Sequence, residues 1–399
     1  MKCNNIFLLI VAIKSVTAFV PTIRNSIRML PLHRRMSNNN NEGESRRDVI
    51  KKLVGGAVAT GIVANGVSVQ GPSPFQPAVG SMNNKVVVIT GGNTGLGLES
   101  GKRLASAGAT VVLTSRNAMK GARAVQSVKD YVKQVTGKTS DDDVNVYTIP
   151  LDLCDLKSIQ EFPTLLKESD AVKKGGSPYI DVLMNNAGVM AIPELQLTKD
   201  GFEKTFMSNH LGHFALTSLL TPMLNPKGSR VINVSSSAYL IASKGLEMDN
   251  LNAEKGYKPW DAYGRSKLEN ILFTKELQRR ADEAGKKITA VALHPGAVRT
   301  DLPRYIIGED KFVSMEDVKP TATDILKLLP AFYFTKNVQR GANSQIYLAS
   351  VQGNDKDIAG KFFFNMKENT LLPAATDMEK AKELWKRSED MTGIKFALE

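Results

Sequence analysis

The stretch AYGRSK, Ala262–Lys267, sets a phenol and an ammonium four residues apart with a serine between them. On a helix, Tyr263 and Lys267 share one face about one turn apart. A phenol ordinarily titrates near pH 10, whereas a proton donor or acceptor works best near ambient pH. A fixed positive charge nearby favours the phenolate and lowers that value. The pair is therefore either an acid/base device or a solvated helix face with an aromatic packed behind it.

A second chemical signal lies upstream, in KVVVITGGNTGLGLESGKRLASAG, Lys85–Gly108. A β-branched apolar run reads as a buried strand, then a glycine turn, then an amphipathic helix. Gly91, Gly95 and Gly97 form T-G-x-x-x-G-x-G, with Asn93 and Leu96 in the same turn. Glycines there let backbone approach a pyrophosphate, and the helix N-terminus offers it amides and a positive dipole end. A tight turn without a ligand is the alternative, and the strand–turn–helix context argues against it. The next strand, ATVVLTSRN (Ala109–Asn117), ends without the carboxylate that would hold the ribose hydroxyls of NAD. Arg116 stands there instead, and its planar fork suits a 2′-phosphate. The expected cofactor is NADP(H) rather than NAD(H), with Arg116 as an ordinary surface residue the other reading.

The elements that must position these residues repeat one pattern. VNVYTIPLDL (Val144–Leu153), YIDVLMNNAG (Tyr179–Gly188), SRVINVSSS (Ser229–Ser237) and ITAVALHPG (Ile288–Gly296) read as strands. Helical stretches alternate with them, among them Gly201–Leu224 and Ala262–Glu283. Repeated βα units imply an α/β fold, a doubly wound parallel sheet of Rossmann type with helices on both faces. Ligands then bind at the carboxyl ends of the strands, where the glycine-rich and polar signals fall.

Composition narrows the partners. At 42% hydrophobic and 23% charged, the 399-residue chain is of globular type. The net charge is +12, but residues 1–80 hold ten Lys/Arg against three Asp/Glu and so account for +7 of it. The basic excess thus gives no support for nucleic-acid binding. Of the two cysteines, Cys3 and Cys154, one lies in that leading segment, so neither an intrachain disulfide nor a thiolate metal site is expected without it. His210 and His213 are spaced for one helix face but have no third ligand, so packing is the expected role. His294, before Pro-Gly, reads as structural.

Residues 1–80 read as an address. An apolar run, Ile6–Ile13, with small residues after it gives a signal peptide over 1–18. Residues 19–44 are transit-peptide-like, with no acidic residue between Phe19 and Asn41. TAFVP (Thr17–Pro21) resembles the signal-plus-transit junction of proteins sent to the complex plastids of algae such as diatoms. Within 45–80, SRRDVIKK before a mild apolar run resembles a twin-arginine signal, so thylakoid lumen or membrane association stands beside the stroma. The catalytic domain is expected over 81–399.

From Lys85 to about Gly393 the chain resembles the short-chain dehydrogenases/reductases, with T-G-x-x-x-G-x-G, N-N-A-G, a serine after a strand and Y-x-x-x-K in family order. TGGNTGLGLE, NHLGHF, YGRSKLENILFTKELQRR and HPGAVRTDL resemble the retinol-dehydrogenase-like branch, which also shares the longer loop between serine and tyrosine. Neighbouring protochlorophyllide reductases usually carry a cysteine just after the active-site lysine, where this chain reads KLEN. The resemblance implies roles. Tyr263 is the general acid/base, Lys267 also binds the nicotinamide ribose, and Ser236, the middle of Ser235–Ser237, holds the reacting oxygen. Asn209 steadies a helix and a relay water. Asp152 and Leu153 lie on the adenine side, and Asn186 and Gly188 beside the adenosine ribose. Pro295, Gly296, Val298 and Thr300 hold the nicotinamide amide.

The family's substrate lid falls at about residues 302–337, rich here in apolar side chains such as Tyr305, Phe312, Leu328 and Phe332. A lipophilic carbonyl or alcohol is the expected substrate. A non-catalytic NADP(H)-binding redox sensor and a tetrapyrrole reductase are the competing functions. Family members often pair through the tyrosine-bearing helix, while the long tail leaves a monomer equally open.

Overall fold

A computed structural model describes residues 71–173, 177–300, 302, 335–353 and 355–398. The signal, transit and twin-arginine-like segments lie outside the described residues, as does most of the apolar segment 302–337.

Eight strands form one sheet: β1 Val86–Ile89, β2 Thr110–Ser115, β3 Val146–Pro150, β4 Val182–Asn185, β5 Ser229–Val234, β6 Ile288–Leu293, β7 Phe362–Phe364 and β8 Lys367–Glu368. Their order is β3-β2-β1-β4-β5-β6-β7-β8. All pairs are parallel except β7–β8, which is antiparallel. The direction of winding reverses between β1 and β4, the place beyond whose strand ends doubly wound sheets bind their ligands.

The strands are apolar on both faces because each face meets helices. Val88, Val112, Val231, Ala290 and Ala292 point into one core, and Val87, Ile89, Val111, Leu113, Ile232 and Val291 into the other. This alternation is the two-residue period of a strand. The first core is closed by α3 (Leu156–Glu168), α4 (Gly212–Leu220), α5 (Pro259–Glu283) and α7 (Met378–Thr392). The second is closed by α1 (Gly95–Ser106), α2 (Ala118–Thr136) and α6 (Asn343–Ser350).

Local chemistry sets the boundaries. Strand β2 stops at Ser115 because Asn117 caps α2, its Oδ1 accepting from the Lys120 amide at 2.9 Å. Helix α5 starts at Pro259, earlier than expected, since proline at the first helical position costs no hydrogen bond. The stretch expected as one helix from Gly201 to Leu224 is divided. Glu203 caps the amides of Thr205 and Phe206 at 2.7 Å each, a widened π-helical turn spans Met207–Leu211, and only then does α4 run.

Residues 73–76, part of the segment read as an address, are strapped onto the domain. Asn343 donates to the Ser73 carbonyl at 2.7 Å and accepts from the Phe75 amide at 2.8 Å. Arg103, only 2% exposed, donates to the Phe75 carbonyl at 2.9 Å and is neutralised by Glu99 one turn away.

Candidate active site

The glycine turn is built by contact as much as by freedom. Gly91 and Gly95 have φ of +61° and +55°, which side chains disfavour. Gly97 has no such φ, but a Cβ there would lie 2.6 Å from the Gly91 carbonyl oxygen and 2.7 Å from Asn186 Nδ2. The first turn of α1 carries no acidic residue, so its dipole end is left to an anion. Thr300 reaches this turn from the far loop, its Cγ2 3.5 Å from where a Gly95 Cβ would sit. The residues thus fit a pyrophosphate-bearing cofactor.

Thr90 and Asn186 join that turn to β4. Thr90 Oγ1 accepts from the amides of Asn186 at 2.9 Å and Ala187 at 3.0 Å. Asn186 Nδ2 donates to the Thr90 carbonyl at 2.8 Å. The Asn186 side chain, expected beside a ribose, is therefore turned inward to stitch the glycine turn. Gly188 keeps the space open toward Lys267: a Cβ would lie 3.1 Å from Asn209 Oδ1 and 3.6 Å from Lys267 Nζ.

Asn209 lies within the π-helical turn and is fully enclosed. Its side chain accepts from the Val189 amide at 2.8 Å and donates to the Val189 carbonyl at 3.0 Å and to Ser266 Oγ at 2.9 Å. Ser266, the serine between Tyr263 and Lys267, thus ties α5 to the turn after β4.

The three serines after β5 separate cleanly. Ser235 is buried and donates to the Lys267 carbonyl at 2.6 Å. Ser236 accepts from the Ala238 amide at 3.1 Å, and its hydroxyl reaches the Tyr263 phenol. Ser237 opens the short helical turn Ser237–Ala242. One residue of alternation decides which serine faces the tyrosine.

Tyr263 and Lys267 do share one face of α5, with Nζ 5.6 Å from the ring centroid. The expected lowering of the phenol is not found. Burial pushes Tyr263 up to about 12, with the Ser236 hydroxyl pulling down. Burial likewise lowers Lys267 to about 8. Lys267 donates to the Val234 carbonyl at 3.2 Å and has no ion pair among the described residues. At neutral pH the phenol holds its proton and is a donor.

On the adenine side, Arg116 is exposed at the end of β2. It comes near enough to Cys154 to bear on the thiol, which burial pushes up to about 11. Asp152 Oδ1 accepts from the Cys154 amide at 2.9 Å, and the Leu153 carbonyl packs against Gly212, where a Cβ would approach to 2.5 Å.

The loop after β6 holds Pro295, Gly296, Val298 and Thr300. Lys336 clamps it: Nζ donates to the Pro295 carbonyl at 2.9 Å and to Asn365 Oδ1 at 2.5 Å, 4.5 Å above the Phe364 ring. The ammonium is 4% exposed with no ion pair among the described residues, and burial lowers it to about 8. Val298 bridges Lys336 in parallel, so the stems of the apolar segment meet there. Sequence reasoning missed Lys336, since nothing local marks a lysine as buried. It also missed Gly92, whose Cβ would lie 2.6 Å from Leu113 Cδ2, although that glycine sits beside the motif. Thr90 was visible as the T of the motif.

His210, His213 and His294 are buried, and no metal-binding group occurs among the described residues. His210 meets Ser388 of α7 at 3.0 Å, and His294 stacks on Phe364 at 4.1 Å between centroids.

A doubly wound sheet that carries a glycine cradle and a Ser–Tyr–Lys group at its strand ends defines a nucleotide-dependent oxidoreductase. The short chain dehydrogenase family pattern matches residues 85–310, and the chain belongs to that family. Among its relatives, mouse retinol dehydrogenase 14 is 38% identical over 320 residues, covering 79% of this chain and 88% of the relative. Human polyprenol dehydrogenase is 33% identical over 325 residues, covering 80% and 88%. A crystal structure of an uncharacterised protein from Mycobacterium paratuberculosis superposes with a TM-score of 0.58 at 32% identity, covering 81% of this chain and 99% of that one.

Proposed function

We propose that the chain is an NADP(H)-dependent oxidoreductase acting on a lipophilic carbonyl or alcohol, with Tyr263 as its general acid/base. The observation that carries the reading is the buried Tyr263 phenol held between the Ser236 hydroxyl and Lys267, at the strand ends beside the glycine cradle. Gly91, Asn93, Gly95, Leu96 and Gly97 would hold the pyrophosphate. Arg116 would take a 2′-phosphate, with Asp152 and Leu153 toward the adenine. Pro295, Gly296, Val298 and Thr300 would hold the nicotinamide. When bound, the cofactor supplies or takes the hydride. Ser236 donates a hydrogen bond to the substrate oxygen. Tyr263 gives that oxygen its phenolic proton during reduction and takes one during oxidation. Asn209 offers a backbone carbonyl to a relay water behind Lys267, whose ammonium holds the ribose. Retinol and polyprenol dehydrogenases among the relatives support an apolar substrate, such as a retinal-, apocarotenoid- or lipid-aldehyde-like carbonyl.

The test is turnover by the full chain with NADPH or NADH on retinal, apocarotenals and lipid aldehydes, beside Tyr263→Phe. The reading expects NADPH-dependent turnover that the substitution abolishes. Cofactor binding without turnover of any carbonyl would sink it. The presequence supports delivery to a complex plastid, with thylakoid lumen or membrane against stroma undivided. A C-terminal fluorescent fusion in a diatom tests this, and cytosolic fluorescence would refute it.

A further inference from the structure

The proton-donor side and the cofactor cradle are separate elements, one built on α5 and the π-helical turn, the other on β1 and α1. One side chain touches both. His213, on α4 and 2% exposed, places Nδ1 3.1 Å from the Asn209 carbonyl oxygen and Nε2 2.8 Å from Thr90 Oγ1.

Hydrogen counting fixes the state of this ring. A carbonyl oxygen only accepts, so Nδ1 carries a hydrogen. Thr90 Oγ1 has two lone pairs and one hydrogen, and the amides of Asn186 and Ala187 take the lone pairs. Its hydrogen therefore points outward, either to His213 Nε2 at 2.8 Å or to the Met184 carbonyl at 3.4 Å. The shorter contact wins, and Nε2 must be bare to accept it. The ring is neutral with its proton on Nδ1. Its surroundings agree: burial, with the Lys267 ammonium nearby, lowers it to about 4 against the pull of the Asn209 carbonyl.

We propose that His213 is a positioning residue for hydride transfer, locking the Asn209 carbonyl in the π-helical turn to the Thr90 hydroxyl at the head of the cofactor turn. The proposal rests on the oxidoreductase reading above. The Nδ1–H bond holds the carbonyl of Asn209, the residue whose side chain borders Gly188 together with Lys267. The Nε2 bond orients the hydroxyl that pins the Asn186–Ala187 turn over the glycines. The two ends serve different steps, one proton supply and the other cofactor affinity.

Asparagine matches the reach of Nδ1, and glutamine that of Nε2, so each end can be kept while the other is lost. In the full chain, His213→Asn keeps the donor to Asn209. It is expected to weaken NADPH binding, read by nicotinamide fluorescence, by about tenfold, with turnover at saturation changed less than about threefold. His213→Gln keeps the acceptor for Thr90. It is expected to cut saturated turnover on an aldehyde about tenfold, with NADPH affinity changed less than about threefold. Nitrogen-15 shifts of the wild-type ring should show a neutral, Nδ1-protonated imidazole at pH 6. A ring protonated on Nε2 overturns the proposal without any variant. Parallel loss of affinity and turnover in both variants, tracking melting temperature, reduces His213 to packing. A wild type that binds neither NADPH nor NADH overturns the oxidoreductase reading and this proposal together. Binding with an unsplit variant pair overturns the proposal alone.

Discussion

Burial makes the Tyr263 hydroxyl a weaker acid than a free phenol, and this sets which form is present. Lifted to about 12 by burial, it stays protonated across the neutral range and is ready to donate. Carbonyl reduction should therefore be flat in its tyrosine dependence from pH 6 to 8, while alcohol oxidation, which needs the phenolate, should climb about tenfold per pH unit. Rate profiles in both directions check this. An oxidation rate that levels off near pH 7 would mean that another charge governs the phenol. Lys267, lowered to about 8, adds a decline in reduction above that pH as its ammonium discharges. Tyr263→Phe should cost about 10²–10⁴-fold in turnover with cofactor affinity kept within a few fold. The neighbouring serines divide the roles. Ser236→Ala should lower turnover and leave the melting temperature nearly unchanged. Ser235→Ala, which loses a buried bond to the Lys267 carbonyl, should cost about 1 kcal/mol of stability.

The elements carry predictions of their own. At Gly97 a Cβ would strike backbone and the Asn186 amide, neither of which can yield. Gly97→Ala should abolish cofactor binding and cost about 1–3 kcal/mol. At Gly137, φ is +74° with nothing within 4 Å, so Gly137→Ala carries only backbone strain of about 1 kcal/mol and leaves binding intact. Calorimetry and fluorescence titration on the pair separate a packed glycine from a merely bent one. Lys336→Met removes the clamp on the loop after β6 but keeps the stem's length. It should weaken cofactor affinity while the fold survives, because the buried ammonium has no carboxylate to orphan among the described residues. Unchanged affinity would show that the Val298–Lys336 backbone bridge holds the loop alone.

At the scale of the whole molecule, burial of ionisable groups makes the fold acid-sensitive. His210, His213 and His294 are lowered to about 3, 4 and 3. The unfolded chain binds their protons below about pH 6.5 and the folded chain does not, so stability falls as pH drops from there. Glu269, raised to about 8 by burial, works in the other sense, since the folded chain holds its proton down to the ordinary carboxylate range. The balance is a loss of about 2–3 kcal/mol per pH unit near pH 5.5. Denaturant midpoints between pH 7 and 5 measure it, and a flat curve would contradict the burial of these rings. The carboxyl-terminal helix matters on the same scale. Trp385 is buried against Phe214, Phe273 and Phe396, with Arg280 over its ring. Trp385→Ala should cost about 3–5 kcal/mol. Helix α7 lies along α5 and covers part of its surface.

Much of this was open to reading in the linear chain. The strand–glycine–helix unit, the alternating βα pattern and the Tyr–Lys spacing are local, and local spacing fixes which face of an element a side chain takes. Ser236 was singled out from its neighbours by family resemblance rather than by spacing. What the chain alone could not settle depends on contacts between residues far apart in it. The inward turn of Asn186, the clamp of Lys336 on Pro295 and the meeting of His213 with Thr90 join residues that no local period relates. The strap at Ser73–Gln76 is of that kind too, since its partners Arg103, Ser106, Asn343 and Tyr347 lie far from it along the chain. So is the pKa of Tyr263. The sequence supplies the positive charge beside the phenol, but the depth of burial decides which way the proton moves, and depth belongs to the packed molecule.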